Sequence, residues 1–312
     1  MKTYSQSERA CEASFQKAGP FWHAYTSGKN TPILFVTRDD LIFVMNVIAQ
    51  AAHLFTPQFD GYGRQLRGIL IITFEVMNNH FHFILAGEKE QIIEFFAFIR
   101  KRLKRSIPQA DKLDLQLKPI ETLSALRNGI VYTNRNGYVA FSEHTPFSYP
   151  WGSGRYYFND IPISQRYGDI FLGKKREMFR GRAPELPDDW LVIDGYIAPQ
   201  SYCSIRFGMS LFRDAHHFFY ALTKQVESYS EVAVDIEDDD FLTDTELYAK
   251  MLSEVREKYK LDSFKQLTKA QTLDLARTLR YKYRSSNGQI RRVLGLSQYE
   301  VDALFPLTAE NK

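Results

Sequence analysis

Residues 68–85, GILIITFEVMNNHFHFIL, set the tightest limit on what this chain can become. They hold a β-branched apolar run at 68–75, a polar break at Met77-Asn78-Asn79 and a second apolar run at 81–85. Short runs of this kind, rich in Ile, Phe and Thr, read as strands rather than helix. Two strands, or one bent strand, lie here, and a sheet must form around them. FWHAYT at 21–26 reads as a further strand, and Gly28 with Asn30 and Pro32 as a turn. Residues 39–55 place Leu41, Val44, Met45, Ile48, Ala51 and Ala52 at helical spacing. After a Gly-rich turn at 61–63, residues 88–105 form a second amphipathic helix with Ile92, Ile93, Phe95, Phe96 and Ile99 inward. Residues 121–136 form a third, stopped at Gly137. The Gln- and Lys-rich stretch 106–119 reads as a spacer. This order is that of an α+β fold, an antiparallel sheet with helices on one face.

Beyond residue 170 the strand signal fades. Residues 184–202 carry Pro184, Pro187 and Pro199 and read as a loop with a short strand at Trp190–Ile193. Residues 207–228 are helical and aromatic, Asp235 to Glu246 is acidic, and 246–305 is helical throughout. Three units are expected: 1–170, a connecting region 171–245, and a helical module 246–312. No apolar run reaches the roughly 18 residues of a membrane span, and the first residues lack the apolar core of a secretory signal. Cys11 and Cys203, the only two cysteines, imply neither a disulfide framework nor a zinc knuckle. A cytoplasmic location is the expectation. The net charge of +3 says little, but its distribution is uneven. Basic runs occur at 100–105, at Lys174-Lys175-Arg176 with Arg180 and Arg182, and from Arg277 to Arg292. Such segregation fits phosphate-binding surfaces, and fits exposed helix faces as well.

Two local patterns carry chemistry. In a strand, His80 and His82 point to one face while Phe81 and Phe83 point to the other. Side chains two residues apart lie about 7 Å apart along a strand, so both imidazoles can reach one ion. The same pattern also occurs as a purely structural pair. In the third helix, Tyr132 and Asn136 stand at i and i+4 and share a face, while Leu123, Leu126 and Ile130 form an apolar stripe. An Asn-rich turn before Gly137 is equally what a helix end contains. Far downstream, a helix ending at Leu294, a turn at Gly295, a cap at Ser297 and a return to the core through Val301 and Leu304 look like a helix-turn-helix. Arg291 stands where such motifs prefer alanine, and any three-helix bundle yields a similar pattern.

Together these segments resemble a family. Val76-Met77-Asn78-Asn79-His80-Phe81-His82-Phe83-Ile84-Leu85 is similar to the histidine-hydrophobe-histidine (HUH) strand of the single-tyrosine transposases. Tyr132-Thr133-Asn134-Arg135-Asn136, followed by Phe147-Ser148-Tyr149-Pro150-Trp151-Gly152-Ser153, resembles the tyrosine helix and Trp-Ser segment of the REP-associated tyrosine transposases. His23, Gly28-Lys29-Asn30 and Asp39-Asp40 resemble the opening strand and first helix. The likeness covers roughly residues 20–160. Asn78 and Gly137 stand where the family commonly has proline.

The resemblance implies a ferredoxin-like HUH nuclease domain that cleaves single-stranded DNA through Tyr132. His80, His82 and the Asn136 amide would bind Mg²⁺ or Mn²⁺, and strand transfer would pass through a 5′-phosphotyrosine. Tyr138 is a reserve nucleophile. Expected DNA contacts are Arg100, Lys101, Arg102, Lys104, Arg105, Trp151, Arg155, Arg291, Arg292 and Gln298. Trp151 and Arg155, with Tyr156 and Tyr157, fit base stacking and sheet-edge packing alike. Expected partners are single-stranded or hairpin DNA, with a homodimer left open and no membrane. The alternative is a non-catalytic DNA-binding regulator that keeps the fold. A replication initiator or relaxase shares the chemistry, and the lone tyrosine helix disfavours it. A zinc hydrolase is weaker still, because no third ligand stands at the usual spacing.

Overall fold

The computed structural model describes residues 5–28, 33–140, 144–145, 147–224, 244–283, 285 and 287–305. Strands β1 (Phe21–Thr26), β4 (Leu70–Val76), β5 (Phe81–Ala86) and β6 (Leu115–Ile120) form one antiparallel sheet in the order β4-β5-β1-β6. Helices α2 (Arg38–Leu54) and α3 (Lys89–Lys104) complete a β-α-β-β-α-β series, preceded by α1 (Glu8–Phe15) and interrupted by the small hairpin β2 (Gln58–Phe59) and β3 (Gln65–Arg67). The strand β6 lies inside the stretch that reads as a spacer. Its polar Gln116 and Lys118 and its Pro119 suit an edge strand, where a missing N–H breaks no ladder.

The expectation of helices on one face is corrected: both faces are covered. α2 starts in a capping box between Thr37 and Asp40. Val44, Met45, Ile48, Ala51 and Ala52 of α2, with Ile92, Phe95, Phe96 and Ile99 of α3, pack on Phe74, Val76, Phe81, Phe83 and Leu85. Ile93, expected inward, is 46% exposed. Helix α4 (Leu123–Ala140) packs on the opposite face, with Leu126 and Ile130 against Leu70, Ile72, Ile84 and Ala86. Every residue of β4 and β5 is buried, which is why both strands read as largely apolar runs, with Thr73, Glu75 and His82 their polar members.

Helix α4 also runs through Gly137 rather than stopping there. The glycine has a packing reason: a Cβ at this position would collide with the Tyr149 ring. Tyr149 belongs to a segment that returns along the free edge of β4. Val76 N–H donates to Trp151 O at 2.8 Å, and Ser153 N–H donates to Phe74 O at 3.0 Å.

The connecting region wraps this domain with α5 (Leu172–Met178), the hairpin β7 (Val192–Ile193) and β8 (Tyr196–Ile197), α6 (Ile205–Ser210) and α7 (Ala215–Lys224). Asp194 and Gly195, both at positive φ, make the two-residue hairpin turn. The last helices, α8 (Asp244–Tyr259), α9 (Lys269–Tyr281), α10 (Asn287–Leu294) and α11 (Gln298–Leu304), share a separate core around Leu247, Met251, Leu279, Ile290 and Val301. Between α10 and α11, Gly295 adopts φ +67° and Ser297 closes a capping box with Glu300. The acidic stretch 235–243 lies outside the described residues.

Alanine ordinarily stabilises a helix interior over glycine by about 1 kcal/mol. Gly137→Ala is expected to do the opposite, losing roughly 1–3 kcal/mol by overpacking against Tyr149. Urea unfolding of the variant beside wild type measures the sign.

Candidate active site

The alternation along β5 turns Phe81 and Phe83 toward α2 and α3, and so turns His82 and Ile84 toward α4. His80 immediately precedes the strand, and its ring centroid lies 5.0 Å from that of His82. From α4, the Tyr132 ring approaches to 5.5 Å of His82 and 5.8 Å of His23. Asn136 lies one turn further along the same helix, fully buried. The next residue, Gly137, donates its N–H to Glu75 Oε2 at 2.6 Å, and Glu75 is the cross-strand partner of His82. Tyr132, some fifty residues downstream, thus meets His82, which lies against His80, and the residue after Asn136 is bonded to the Glu75 carboxyl beside them. All four are buried rather than surface groups.

The imidazoles are held from behind. Asn79 Nδ2 donates to Gly28 O at 3.1 Å, which fixes the orientation of the amide. Asn79 Oδ1 then stands 2.6 Å from His80 Nδ1. An amide oxygen only accepts, so His80 carries its proton on Nδ1 and its lone pair on Nε2. On His82 the corresponding partner is His23, with Nε2 3.2 Å from His82 Nδ1. A partner on Nδ1 with Nε2 turned to a metal is how ligating imidazoles are commonly held. The cluster Thr73, Asn134 and Ser153 fixes the rotation of α4. Thr73 Oγ1 bonds Asn134 Oδ1 and lies 2.8 Å from Ser153 Oγ, which accepts from Phe74 N–H at 3.0 Å.

Two groups escape a reading of the sequence as site residues. His23 sits at the centre of β1, facing Ile84 in register; the sequence marks it only as part of an opening strand, with no role attached. Glu75 is the other, a lone acid at the end of an apolar strand. Burial pushes its carboxyl well above the usual carboxylate range, and the Gly137 N–H offsets this only in part. Among the described residues no three His, Cys, Asp or Glu side chains are placed to hold a metal. Any ion here would need the Asn136 amide beside the two imidazoles.

The residues expected to meet DNA are scattered. Trp151 is half-buried and packs 5.8 Å from the Tyr196 ring, beside the β4 edge. The Arg155 guanidinium donates to the hydroxyls of Tyr156 and Tyr196 at 2.9 and 3.0 Å, and Tyr157 donates to Ile72 O at 2.8 Å. These contacts are those of sheet-edge packing. The run 100–105 ends α3, on the layer opposite Tyr132. There Arg100 donates to Leu113 O at 3.4 Å, and Lys104 pairs with Asp111 at 2.9 Å. Arg102 donates to Phe179 O at 3.1 Å, which brings the run against the second basic run, on α5. Lys101 and Arg105 are exposed, as are Arg291 and Arg292 on α10. The side chains of Tyr138 and Gln298 lie outside the described residues.

Comparison with protein-family models, with curated proteins and with solved structures finds no match.

Glu75 yields a pH test. Its folded pKa is raised, so the native state holds the proton more tightly than the unfolded chain. The stabilisation is complete below the unfolded carboxylate value near 4.5 and is lost as pH rises through the folded one. Glu75→Gln is therefore expected to raise the melting temperature of the metal-free protein more at pH 8 than at pH 5. An equal shift at both values would contradict a buried, protonated acid.

Proposed function

We propose that this chain cleaves and rejoins single-stranded DNA with Tyr132 as nucleophile, in the manner of the single-tyrosine HUH transposases. The observation that carries the reading is the meeting of Tyr132, His80 and His82 on one face of a sheet, with Asn136 one helical turn away. The β-α-β-β-α-β series with strand order β4-β5-β1-β6 supports it, because this is the ferredoxin-like arrangement such nuclease domains use.

The residues fit a divalent ion. Both imidazoles have Nδ1 engaged by a neighbour, so Nε2 is the nitrogen each would offer, and the Asn136 amide would be the third group. His80, His82 and Asn136 would hold Mg²⁺ or Mn²⁺, with Mn²⁺ the better match to nitrogen ligands. Once bound, the ion supplies Lewis-acid polarisation of the scissile phosphate. Tyr132 loses its phenolic proton and its Oη forms a bond to phosphorus. The P–O3′ bond breaks and the departing 3′ oxygen takes up a proton. The phosphotyrosine keeps the energy of the phosphodiester, so a second 3′-hydroxyl can reverse the step without ATP. Single-stranded DNA is the substrate because a small buried site cannot admit a duplex at the cut. The exposed Arg291 and Arg292, beside the helix–turn–helix of α10 and α11, suit phosphate contacts to a hairpin stem.

One observation favours a second reading. Tyr132, His80 and His82 are each 0% exposed, so a strand reaches the tyrosine only if the site opens. A DNA-binding regulator that retains the fold needs no such opening.

Incubating the full chain with Mn²⁺ and labelled single-stranded DNA bearing a hairpin separates the two. The enzyme reading expects an adduct that survives denaturation, is lost in Tyr132→Phe, and falls at least 100-fold (on the order of the 10²–10³ that one stabilising group contributes) in His80→Ala. Binding without any adduct at every hairpin and metal concentration would instead establish the regulator. For the C-terminal helices, replacing Arg291 and Arg292 with alanine is expected to weaken hairpin binding and to lower the salt slope by about two. An unchanged slope would assign those helices another partner.

A further inference from the structure

His23 belongs to the buried cluster, yet no step of the proposed reaction uses it. It is 2% exposed at the middle of β1, where strands β5 and β6 flank it. Its Nε2 lies 3.2 Å from His82 Nδ1, its ring 5.8 Å from Tyr132 and 5.3 Å from Tyr25. Tyr25 in turn stacks with His82, the ring centroids 6.3 Å apart and the planes 13° from parallel. Burial and stacking leave the pair little rotational freedom.

A bond between two neutral imidazoles has one donor and one acceptor, and the two assignments differ in chemistry. If His23 donated, His82 would accept on Nδ1 and carry its own proton on Nε2. That nitrogen could not then bind a metal. If His23 accepts, His82 is protonated on Nδ1 and presents the Nε2 lone pair. His80 supplies the comparison. Asn79, oriented by Gly28 O, already holds His80 with its proton on Nδ1. With the two rings 5.0 Å apart, only the second assignment leaves both with the same unprotonated nitrogen.

We propose that His23 is a positioning residue: it accepts the Nδ1–H of His82 and fixes His82 as an Nε2 ligand, as Asn79 does for His80. The inference rests on the metal-assisted reading above and adds a residue to it. It also explains why a histidine, rather than an apolar residue, occupies the centre of a core strand. The site would then hold three imidazoles with divided duties, two to bind the ion and one to set the tautomer of its neighbour.

The test uses the metal-free, full-length chain labelled with ¹⁵N in its imidazoles, and long-range ¹H–¹⁵N correlation spectra at a pH where the rings are neutral. Wild type is expected to show His80 and His82 both protonated on Nδ1. In His23→Phe, which fills the space without an acceptor, His82 is expected to shift to the Nε2–H form that prevails in water. His23→Gln, whose amide oxygen accepts, is expected to restore the Nδ1–H form. A parallel Mn²⁺ titration without DNA should show affinity falling about 10- to 100-fold in His23→Phe and recovering in His23→Gln. A wild-type His82 protonated on Nε2 overturns the proposal, and so does a folded His23→Phe with an unchanged His82 signal. Should His23→Phe fail to fold, the wild-type tautomer and His23→Gln decide. If the tautomer depends on His23 but wild type binds no Mn²⁺, the metal reading falls while the positioning role stands.

Discussion

The fold is organised by the burial of polar side chains on one face of an otherwise apolar sheet. An unpaired hydrogen-bonding group in that setting costs about 1–3 kcal/mol, and an ion far more. The buried polar groups here sit together, so each can serve another. Asn79 serves His80, His23 serves His82, and the Gly137 N–H serves Glu75. Thr73, Ser153 and Asn134 do the same one step further along β4. Removing one member exposes the next to desolvation, so the cluster stands or falls as a unit.

This dependence sets the position of α4. Leu126 and Ile130 hold its first half to Ile84 and Ile72 by non-directional packing, which leaves rotation and register open. Directional bonds settle both: Asn134 to Thr73, and the Gly137 N–H to Glu75. Asn136 lies between those two anchors and Tyr132 two residues before the first, so their aim follows from contacts made by their neighbours. The Trp-Ser segment takes part, because Ser153 caps the Thr73 cluster and Tyr149 occupies the space that Gly137 leaves open. The segment that carries the Trp-Ser pattern thus supplies part of the scaffold of the tyrosine helix.

Much of this was legible in residue order. The apolar spacing of α2 and α3, the strand character of 68–85, the cap at Ser297 and the turn at Gly295 are local signals with local causes. The pairing of His80 with His82 follows from strand alternation alone. β6 was not legible, because a half-exposed edge strand bearing Gln, Lys and Pro lacks the apolar alternation that marks a strand. Nor was the continuation of α4 past Gly137, since a glycine reads as a stop until Tyr149 is seen to need its space.

Local composition therefore determined which segments are strands and helices, and which face of β5 carries imidazoles, because these depend on neighbours a few residues away. It did not determine that helices cover both faces of the sheet. A strand with apolar side chains on both faces is compatible with burial from either direction, and only assembly places α4 opposite α2 and α3. Long-range pairing alone brings His23 to His82, separated by 59 positions, and Glu75 to Gly137, separated by 62. A hydrogen bond across the sheet has no signature in the intervening sequence. Its partners become neighbours only when β1, β4, β5 and α4 are packed together and water has left the space between them.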